Sequence, residues 1–210
     1  MQIFHYELGP LGVNCFLILP ENSGAVVIDA PEGAFDAVKD ALSGRNIKID
    51  ALLLTHGHWD HIWDAKKIQN FFGAKIYAHP GGKIFIEEQG SQNAYMFGES
   101  GLESAKIDVP LFDGQILEFG DCKIEARHTP GHCAGSMSFI IEEKKLAFVG
   151  DLLFAQSVGR TDLPTGSFAD LEKSVKNKIY TLPDDFRILP GHGEFTTVAT
   201  EKASNPYVCE

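Results

Sequence analysis

The chain has 210 residues, of which 44% are hydrophobic and 22% are charged. These proportions are typical of a folded domain and exclude a disordered or fibrous chain. The 29 acidic residues outnumber the 18 basic ones and give a net charge of -11, which opposes binding to nucleic acid. The length predicts a single domain over residues 1–210.

The cysteine pattern and the N-terminal residues indicate a reducing compartment. The 4 cysteines include no C-x-x-C pair, so neither a disulfide framework nor a thiolate zinc site is predicted. Residues Met1–Glu7 lack the basic start and the apolar run of a signal peptide. No apolar stretch approaches the roughly 20 residues that span a bilayer. We therefore expect a cytoplasmic protein without a membrane partner, and the sequence leaves the oligomeric state open.

Short strands and helices alternate through the first half of the chain. Val13–Leu19 and Ala25–Ile28 flank a polar turn and predict a hairpin. Apolar residues then recur at helical spacing from Glu32 to Gly44, a glycine typical of a helix end. Ala51–Leu54 is entirely apolar and predicts a strand that is buried on both faces. The other predicted elements are a helix over Ile62–Phe72, a strand over Ala74–Ala78 and a long surface loop over Gly81–Lys106.

The second half repeats this plan loosely. Its predicted elements are hairpins of Gln115–Phe119 with Cys122–Arg127 and of Met137–Ile141 with Leu146–Val149, a helix capped by Ser167, and a strand over Phe186–Leu189. In each half a hairpin ends in aspartate, a helix follows, and a strand then ends in histidine. The pairs are Asp29 with His56 and Asp151 with His192. This order predicts two similar α/β layers that face each other.

The strongest chemical signal is the run Thr55–His61, which follows the buried strand and contains three histidines and an aspartate. Neutral imidazole and carboxylate are ligands of zinc and comparable metals. Residues two apart on an extended segment point the same way, so His56 and His58 can converge on one ion. The turn that follows re-aims Asp60 and His61, which can serve a second ion. The alternative is a polar surface loop, in which a histidine cluster would have no structural role.

Three more segments place a ligand type directly after a strand pattern. They contribute His132 from TPGH, Asp151 from GD and His192 from PGHG. Together with the first run they make seven nitrogen or oxygen ligands. Two ions with three ligands each and one shared carboxylate would use all seven, and Asp151 is the natural bridge.

The motifs HGHWDH, TPGH, GD and PGHG, in this order, resemble those of the metallo-β-lactamase superfamily. The resemblance covers nearly the whole chain and implies an α/β fold, a four-layer αββα sandwich with the metals at the edge between its sheets. It also implies the division of the ligands. The first metal would bind His56, His58 and His132, the second would bind Asp60, His61 and His192, and Asp151 would bridge them.

Within that superfamily, the segments GDLLF at 150–154 and GRTD at 159–162 are similar to the hydroxyacylglutathione hydrolase (glyoxalase II) branch. The NPY segment at 205–207 is similar to the tail of its short bacterial members, which lack a C-terminal helical domain. Two features depart from the branch. Only 18 residues follow His192, and Gln156 stands where a small residue is expected.

The resemblance implies a metal-dependent hydrolase of an activated carbonyl compound, with a small-molecule thioester of the hydroxyacylglutathione type as the expected substrate. A hydroxide held between two divalent metal ions would be the nucleophile, and Asp60 would orient it and accept its proton as the catalytic residue. Zinc is the expected metal, with iron or manganese as alternatives. No serine or cysteine nucleophile is required.

Other functions remain open from the sequence. Persulfide dioxygenases share these motifs but resemble mononuclear iron sites, and a lactonase has the same pattern. A binding module that only keeps the fold predicts loss of ligands, and none of the seven is missing.

A few further residues carry weaker predictions. Asp29 is expected either to support the ligand loop or to be an ordinary turn residue, and Arg160 either to meet substrate or to pair with Asp162. Cys133 is expected to be structural, and Trp59 to pack under the ligand loop. His5, His79 and His128 are expected to be ordinary hydrogen-bonded histidines.

Overall fold

A computed structural model describes residues 1–88 and 101–209 and contains two six-stranded sheets. The first sheet has the strand order β1-β2-β3-β4-β5-β6. Its strands are β1 Gln2–Leu8, β2 Val13–Leu19, β3 Ala25–Ile28, β4 Ile49–Leu53, β5 Lys75–Ala78 and β6 Val109–Pro110. The first three are antiparallel neighbours, and β3 to β6 run parallel.

The second sheet has the order β14-β13-β10-β9-β8-β7, and a small ribbon pairs β11 with β12. The bounds of these strands are β7 Gln115–Phe119, β8 Cys122–His128, β9 Met137–Ile141, β10 Leu146–Gly150, β11 Leu153–Phe154, β12 Ser157–Val158, β13 Arg187–Pro190 and β14 Thr196–Thr197. Strands β10 and β13 are parallel, as are β3 and β4 in the first sheet.

Six α-helices occur in the described part of the chain. They are α1 Ala34–Ala41, α2 Trp59–Ile62, α3 Ala65–Phe72, α4 Lys83–Ile86, α5 Phe168–Ser174 and α6 Val198–Ser204. A π-helical turn, Val175–Ile179, continues α5, and 3-10 turns lie at Pro80–Gly82 and Glu142–Lys144. None of the described helices has the length and apolar character needed to cross a bilayer.

Three apolar clusters define the layers. Neighbouring residues of a strand point to opposite faces, so β4 contributes to two clusters. Leu52 packs in one cluster with Val38 of α1 and Ile68 of α3. Leu53 packs on the other face with Phe148 of the second sheet. The first sheet therefore lies between a helical layer and the second sheet.

The outer face of the second sheet carries the fourth layer. Ala147 and Ile188 of this sheet pack with Leu171 of α5 and Ile179 of its π-helical continuation. The order is thus helix, sheet, sheet, helix, which confirms the expected α/β fold and αββα sandwich.

The predicted hairpins and the pairing of two similar layers are confirmed. Asp29 follows β3 and Asp151 follows β10, and the parallel neighbour of each strand leads to His56 or His192. Since the carboxyl ends of parallel strands meet at one edge of a sheet, each half brings its polar residues to a common edge.

One helix prediction and one loop prediction need correction. The predicted helix Ile62–Phe72 is interrupted, because α2 ends at Ile62 and α3 begins only at Ala65. Asp64, between them, turns its carboxylate to the start of α1, where it accepts hydrogen bonds from the backbone N–H groups of Gly33 (2.8 Å) and Phe35 (3.1 Å). The predicted loop over Gly81–Lys106 contains α4, and its residues 89–100 lie outside the described residues.

Candidate metal centre

The seven predicted ligands lie together where the two sheets meet. They form three overlapping groups, and within each group one ligand atom per residue lies within 4.8 Å of the others. The groups are His56, His58 and His132; His56, His61 and Asp151; and Asp60, His61 and His192. The structure thus brings together every residue that the sequence indicated.

The first group is built from three imidazoles. Nδ1 of His58 lies 2.8 Å from Nε2 of His132, and the ring of His56 is centred 4.8 Å and 4.9 Å from these two rings. Nδ1 of His132 donates to the carbonyl oxygen of Arg160 at 2.7 Å. This hydrogen bond fixes the proton on Nδ1, so Nε2 of His132 is left with its lone pair facing the group.

The second group contains Asp60, His61 and His192. Nε2 of His192 lies 3.2 Å from Nε2 of His61 and 3.2 Å from Oδ2 of Asp60. Nδ1 of His192 donates to the carbonyl oxygen of Leu11 at 3.0 Å, so its Nε2 is likewise free to act as a ligand.

The carboxylate of Asp151 lies between the two groups. Its Oδ1 is 3.3 Å from Nε2 of His61, and its Oδ2 is 3.6 Å from Nε2 of both His132 and His192. The carboxylate thus lies close to nitrogen atoms of both groups, which is the position that a bridging ligand would occupy.

Two features of this site suit the binding of metal ions. Oδ1 of Asp151 and Nε2 of His56 are buried and have no well-aligned hydrogen bond, which is costly for a polar atom unless another partner binds it. Gly191 also has no room for a side chain, because an added Cβ would overlap with Oδ1 of Asp151 and lie 2.7 Å from Cε1 of His61. Such a nitrogen and oxygen donor set suits zinc, iron or manganese.

The charges of the site favour cations. Burial alone would raise the pKa of Asp151, but the imidazoles of His61, His132 and His192 together outweigh burial and hold this pKa below its usual value. The pKa of Asp60 is lowered in the same way, against burial, by His61 and His192. Burial, reinforced by His132, lowers the pKa of His58 to about 4. The carboxylates are therefore ionised and His58 is neutral, which are the forms that bind metals, whereas the same carboxylates raise the pKa values of His61 and His192, which would release protons when an ion binds.

Asp29 supports the ligand loop, which confirms the first of its two predicted roles. Its carboxylate accepts three hydrogen bonds of 2.7 Å, from the backbone N–H and the hydroxyl of Thr55 and from Nδ1 of His61. The bond to Nδ1 turns Nε2 of His61 toward the other ligands. Thr55 opens the ligand run and is a supporting residue that sequence reasoning did not identify.

Asn14 is a second residue that sequence reasoning missed. Its side-chain amide donates to the carbonyl oxygens of Pro190 and Gly193, both at 3.0 Å, and its backbone N–H donates to Gly191 at 2.8 Å. His5 contacts Oδ1 of Asn14 at 2.7 Å. Asn14 therefore holds the loop that carries His192. A polar residue within the apolar run Val13–Leu19 was the available signal.

Replacing Asn14 with leucine is expected to loosen the His192 loop. Loss of two buried hydrogen bonds should lower the free energy of unfolding by about 1–3 kcal/mol. Metal affinity at the Asp60, His61 and His192 group should fall roughly 10–100-fold, as for other residues that orient ligands. Urea unfolding and calorimetric zinc titration measure the two effects. Asn205→Leu is the control, because Asn205 is equally buried but bonds to Ser157 and Glu201. Unchanged zinc binding would contradict the role of Asn14.

Arg160 and Cys133 have the structural contacts that were expected. The guanidinium of Arg160 forms two hydrogen bonds, of 2.7 Å and 2.8 Å, with the carboxylate of Asp162. Sγ of Cys133 lies 3.2 Å from Oγ of Ser136, and burial raises the pKa of this thiol. Neither residue belongs to the ligand groups.

The remaining histidines lie outside the ligand groups, as expected. His79 and His128 stack with ring centroids 3.9 Å apart, and Nε2 of His128 donates to the carbonyl oxygen of Ala134 at 2.9 Å. Gln156 turns toward α6, where its side chain donates to Oγ of Ser204 at 2.9 Å.

A cavity of about 410 Å³ opens beside the ligands, and five of the seven line it: His58, Asp60, His132, Asp151 and His192. Trp59, which was expected to pack under the ligand loop, also lines this cavity. A small molecule can therefore reach the ligand atoms from one side.

Comparison with known proteins agrees with this geometry. Residues 8–192 match the model of the metallo-beta-lactamase superfamily. The hydroxyacylglutathione hydrolase GloC of Haemophilus influenzae is 36% identical over 196 residues, covering 93% of this chain and 92% of GloC.

Two crystal structures are similar along their whole length. The BLEG-1 B3 metallo-beta-lactamase has a TM-score of 0.89 and 31% identity, with 100% of both chains covered. TTHA1623 in a di-iron-bound form has a TM-score of 0.85 and 32% identity, with 97% of this chain and 99% of that chain covered. The motifs, the fold and these similarities agree, and the chain belongs to the metallo-beta-lactamase superfamily.

Proposed function

We propose that this protein is a hydrolase that uses two divalent metal ions to cleave a thioester of the hydroxyacylglutathione type. One observation carries the proposal: Asp151 lies between two ligand groups, and residues of both groups line a cavity that admits a small molecule. The similarity to GloC of Haemophilus influenzae supports the choice of substrate class.

The ligand groups suggest how the ions would be held. His56, His58 and His132 would hold the first, Asp60, His61 and His192 the second, and Asp151 would belong to both. When bound, such ions supply an acidified water as nucleophile and polarise the carbonyl group of the substrate. Zinc is the proposed metal, and iron is the first alternative because TTHA1623 is known in a di-iron-bound form.

Asp60 is the proposed catalytic residue. Its side chain lies at the cavity surface, and Oδ2 is held 3.2 Å from Nε2 of His192. The lowered pKa of Asp60 keeps the carboxylate ionised, so it can orient an attacking water and accept its proton. The hydrolysis needs no covalent intermediate on the protein.

The second ligand group favours this proposal over a mononuclear iron oxidoreductase. A single iron that binds oxygen would use only one group and keep open positions. Two ions would use Asp60, His61 and His192 as well, and these three residues lie within ligand distance of one another.

Metal removal is expected to abolish thioester hydrolysis reversibly. We expect elemental analysis to give two ions per chain and lactoyl-glutathione to be cleaved. Exhaustive chelation should remove both ions and the activity together, and added zinc should restore them.

Two results would overturn the proposal. One is full activity in protein shown by elemental analysis to be free of metal. The other is one iron per chain with oxygen consumed on addition of a persulfide, which would assign the site to the rival oxidoreductase.

A further inference from the structure

The cavity beside the candidate metal centre has an apolar wall. Apart from the ligands, the described side chains that line it are mostly apolar, namely Leu11, Trp59, Ile84, Phe85, Leu163 and Pro164. Its volume of about 410 Å³ lies within the range of small-molecule sites. The wall therefore fits part of a small molecule rather than a folded partner.

Three separate parts of the chain build this wall. Leu11 precedes β2, Ile84 belongs to α4, and Leu163 lies in the loop before α5. Leu11 is 54% exposed and Ile84 is 48% exposed, although large apolar side chains gain free energy when they are covered. Exposed apolar residues gathered around a reactive site are typical of a binding surface.

The apolar wall is fixed relative to the ligands. The ring of Phe85 meets the ring of His58 edge-on at 5.5 Å. Gly57, between two ligands, leaves no room for a side chain, because an added Cβ would lie 2.7 Å from Cβ of Phe85. Helix α4 therefore packs directly against the ligand loop, and its side chains line the same cavity as the ligands.

The charges of the side chains that line the cavity also favour an apolar ligand. Among the described lining residues, Arg160 is the one cationic side chain apart from the histidines of the metal centre. Its guanidinium already forms two hydrogen bonds with Asp162. A charged group would therefore find no partner along the described part of the wall, whereas a hydrocarbon chain can pack against it.

We propose that this wall binds an apolar acyl chain, so that among glutathione thioesters those with an alkyl acyl group are cleaved faster than lactoyl-glutathione. The inference rests on the proposed thioester hydrolysis. The carbonyl carbon would lie at the ligands, the alkyl chain against Ile84 and Leu163, and the polar thiol carrier toward the opening.

The reaction balances without a further reactant. The oxygen of water forms a bond to the carbonyl carbon, and the bond from carbon to sulfur breaks. The departing sulfur receives a proton that came from the water, so the products are a carboxylic acid and a thiol.

The first test compares hexanoyl-glutathione with lactoyl-glutathione, two thioesters of the same thiol, on the metal-loaded protein. We expect kcat/KM to be at least about tenfold higher for the hexanoyl compound. Ile84→Ser should lower the ratio of the two values by roughly 5–20-fold, because it replaces an apolar contact with a hydroxyl group. Leu163→Ser, on a different segment, should also lower this ratio. It provides the test if the Ile84 variant fails to fold.

The matched control is Ile116→Ser. Ile116 is 51% exposed on β7 and lines a different surface depression, away from the ligands. This variant should leave the ratio unchanged. A binding measurement on the same variants uses S-(2-oxoheptyl)glutathione, an analogue in which a methylene group separates sulfur from the carbonyl. Ile84→Ser should weaken its calorimetric affinity, and Ile116→Ser should not.

The outcomes are distinguishable. Equal kcat/KM values for both thioesters, or a ratio that Ile84→Ser and Leu163→Ser leave unchanged, would overturn the apolar acyl site and leave thioester hydrolysis standing. Failure to cleave any thioester would overturn both proposals.

Discussion

Replacement of His58 with alanine is expected to lower kcat/KM for thioester hydrolysis by roughly 10³-fold or more. Nδ1 of His58 lies 2.8 Å from Nε2 of His132, in the first ligand group. Without this imidazole the group has two donors besides Asp151, so an ion would be bound weakly and in the wrong geometry. Steady-state kinetics and elemental analysis of the purified variant measure both effects.

The fold should tolerate this change. His58 precedes α2, but its side chain does not cap the helix, so the urea unfolding midpoint should stay close to that of the unchanged protein. His79→Ala is the control, because His79 is a half-buried histidine outside the ligand groups, and it should keep its metal. Full activity in the His58 variant would refute the metal-dependent reaction.

Replacement of Asp29 with asparagine is expected to impair the second ligand group without unfolding the protein. Asparagine retains an oxygen for the backbone N–H of Thr55 and tolerates the positive φ of 58° at this position. Its amide N–H₂, however, would donate to Nδ1 of His61, where the carboxylate now accepts. His61 would then carry its proton on Nε2, which faces the other ligands.

A proton on Nε2 competes directly with a metal ion. We expect affinity at the second ligand group and thioester hydrolysis each to fall roughly 10–100-fold. Zinc titration together with kinetics at saturating zinc separates lost affinity from lost turnover. Asp64→Asn provides the matched control, because Asp64 is an equally buried carboxylate that accepts backbone hydrogen bonds but does not contact a ligand. Should Asp29→Asn bind two zinc ions as tightly as the unchanged protein, the orienting role would be wrong.

The ligand residues were predictable because their signal is local. His56 and its neighbours follow one buried strand, and His132, Asp151 and His192 each follow another strand pattern. Parallel strands with aligned carboxyl ends bring such residues together whatever the loops between them do. The expected sandwich came from the order of these motifs, and the three apolar clusters confirm it.

The role of Asn14 and the apolar wall were not predicted, because their partners are remote in sequence. Asn14 donates to Pro190, 176 positions away. The apolar wall combines Leu11, Ile84 and Leu163, which no sequence window contains together. The break between α2 and α3 has a similar cause, since the Asp64 carboxylate accepts from backbone N–H groups at the start of α1 and does not cap the backbone of α3. Local secondary-structure propensity contains no information about such tertiary contacts.

The division of the ligands between the two sheets has a consequence for biosynthesis. His56, His58, Asp60 and His61 belong to the first half of the chain, whereas His132, Asp151 and His192 belong to the second. A nascent chain on the ribosome cannot form the complete centre before its last ligand has emerged and the sheets have docked. Metal uptake would thus be a late event of maturation, and a bound ion would fasten the two sheets to each other, so a cell short of metal would accumulate the less stable empty form.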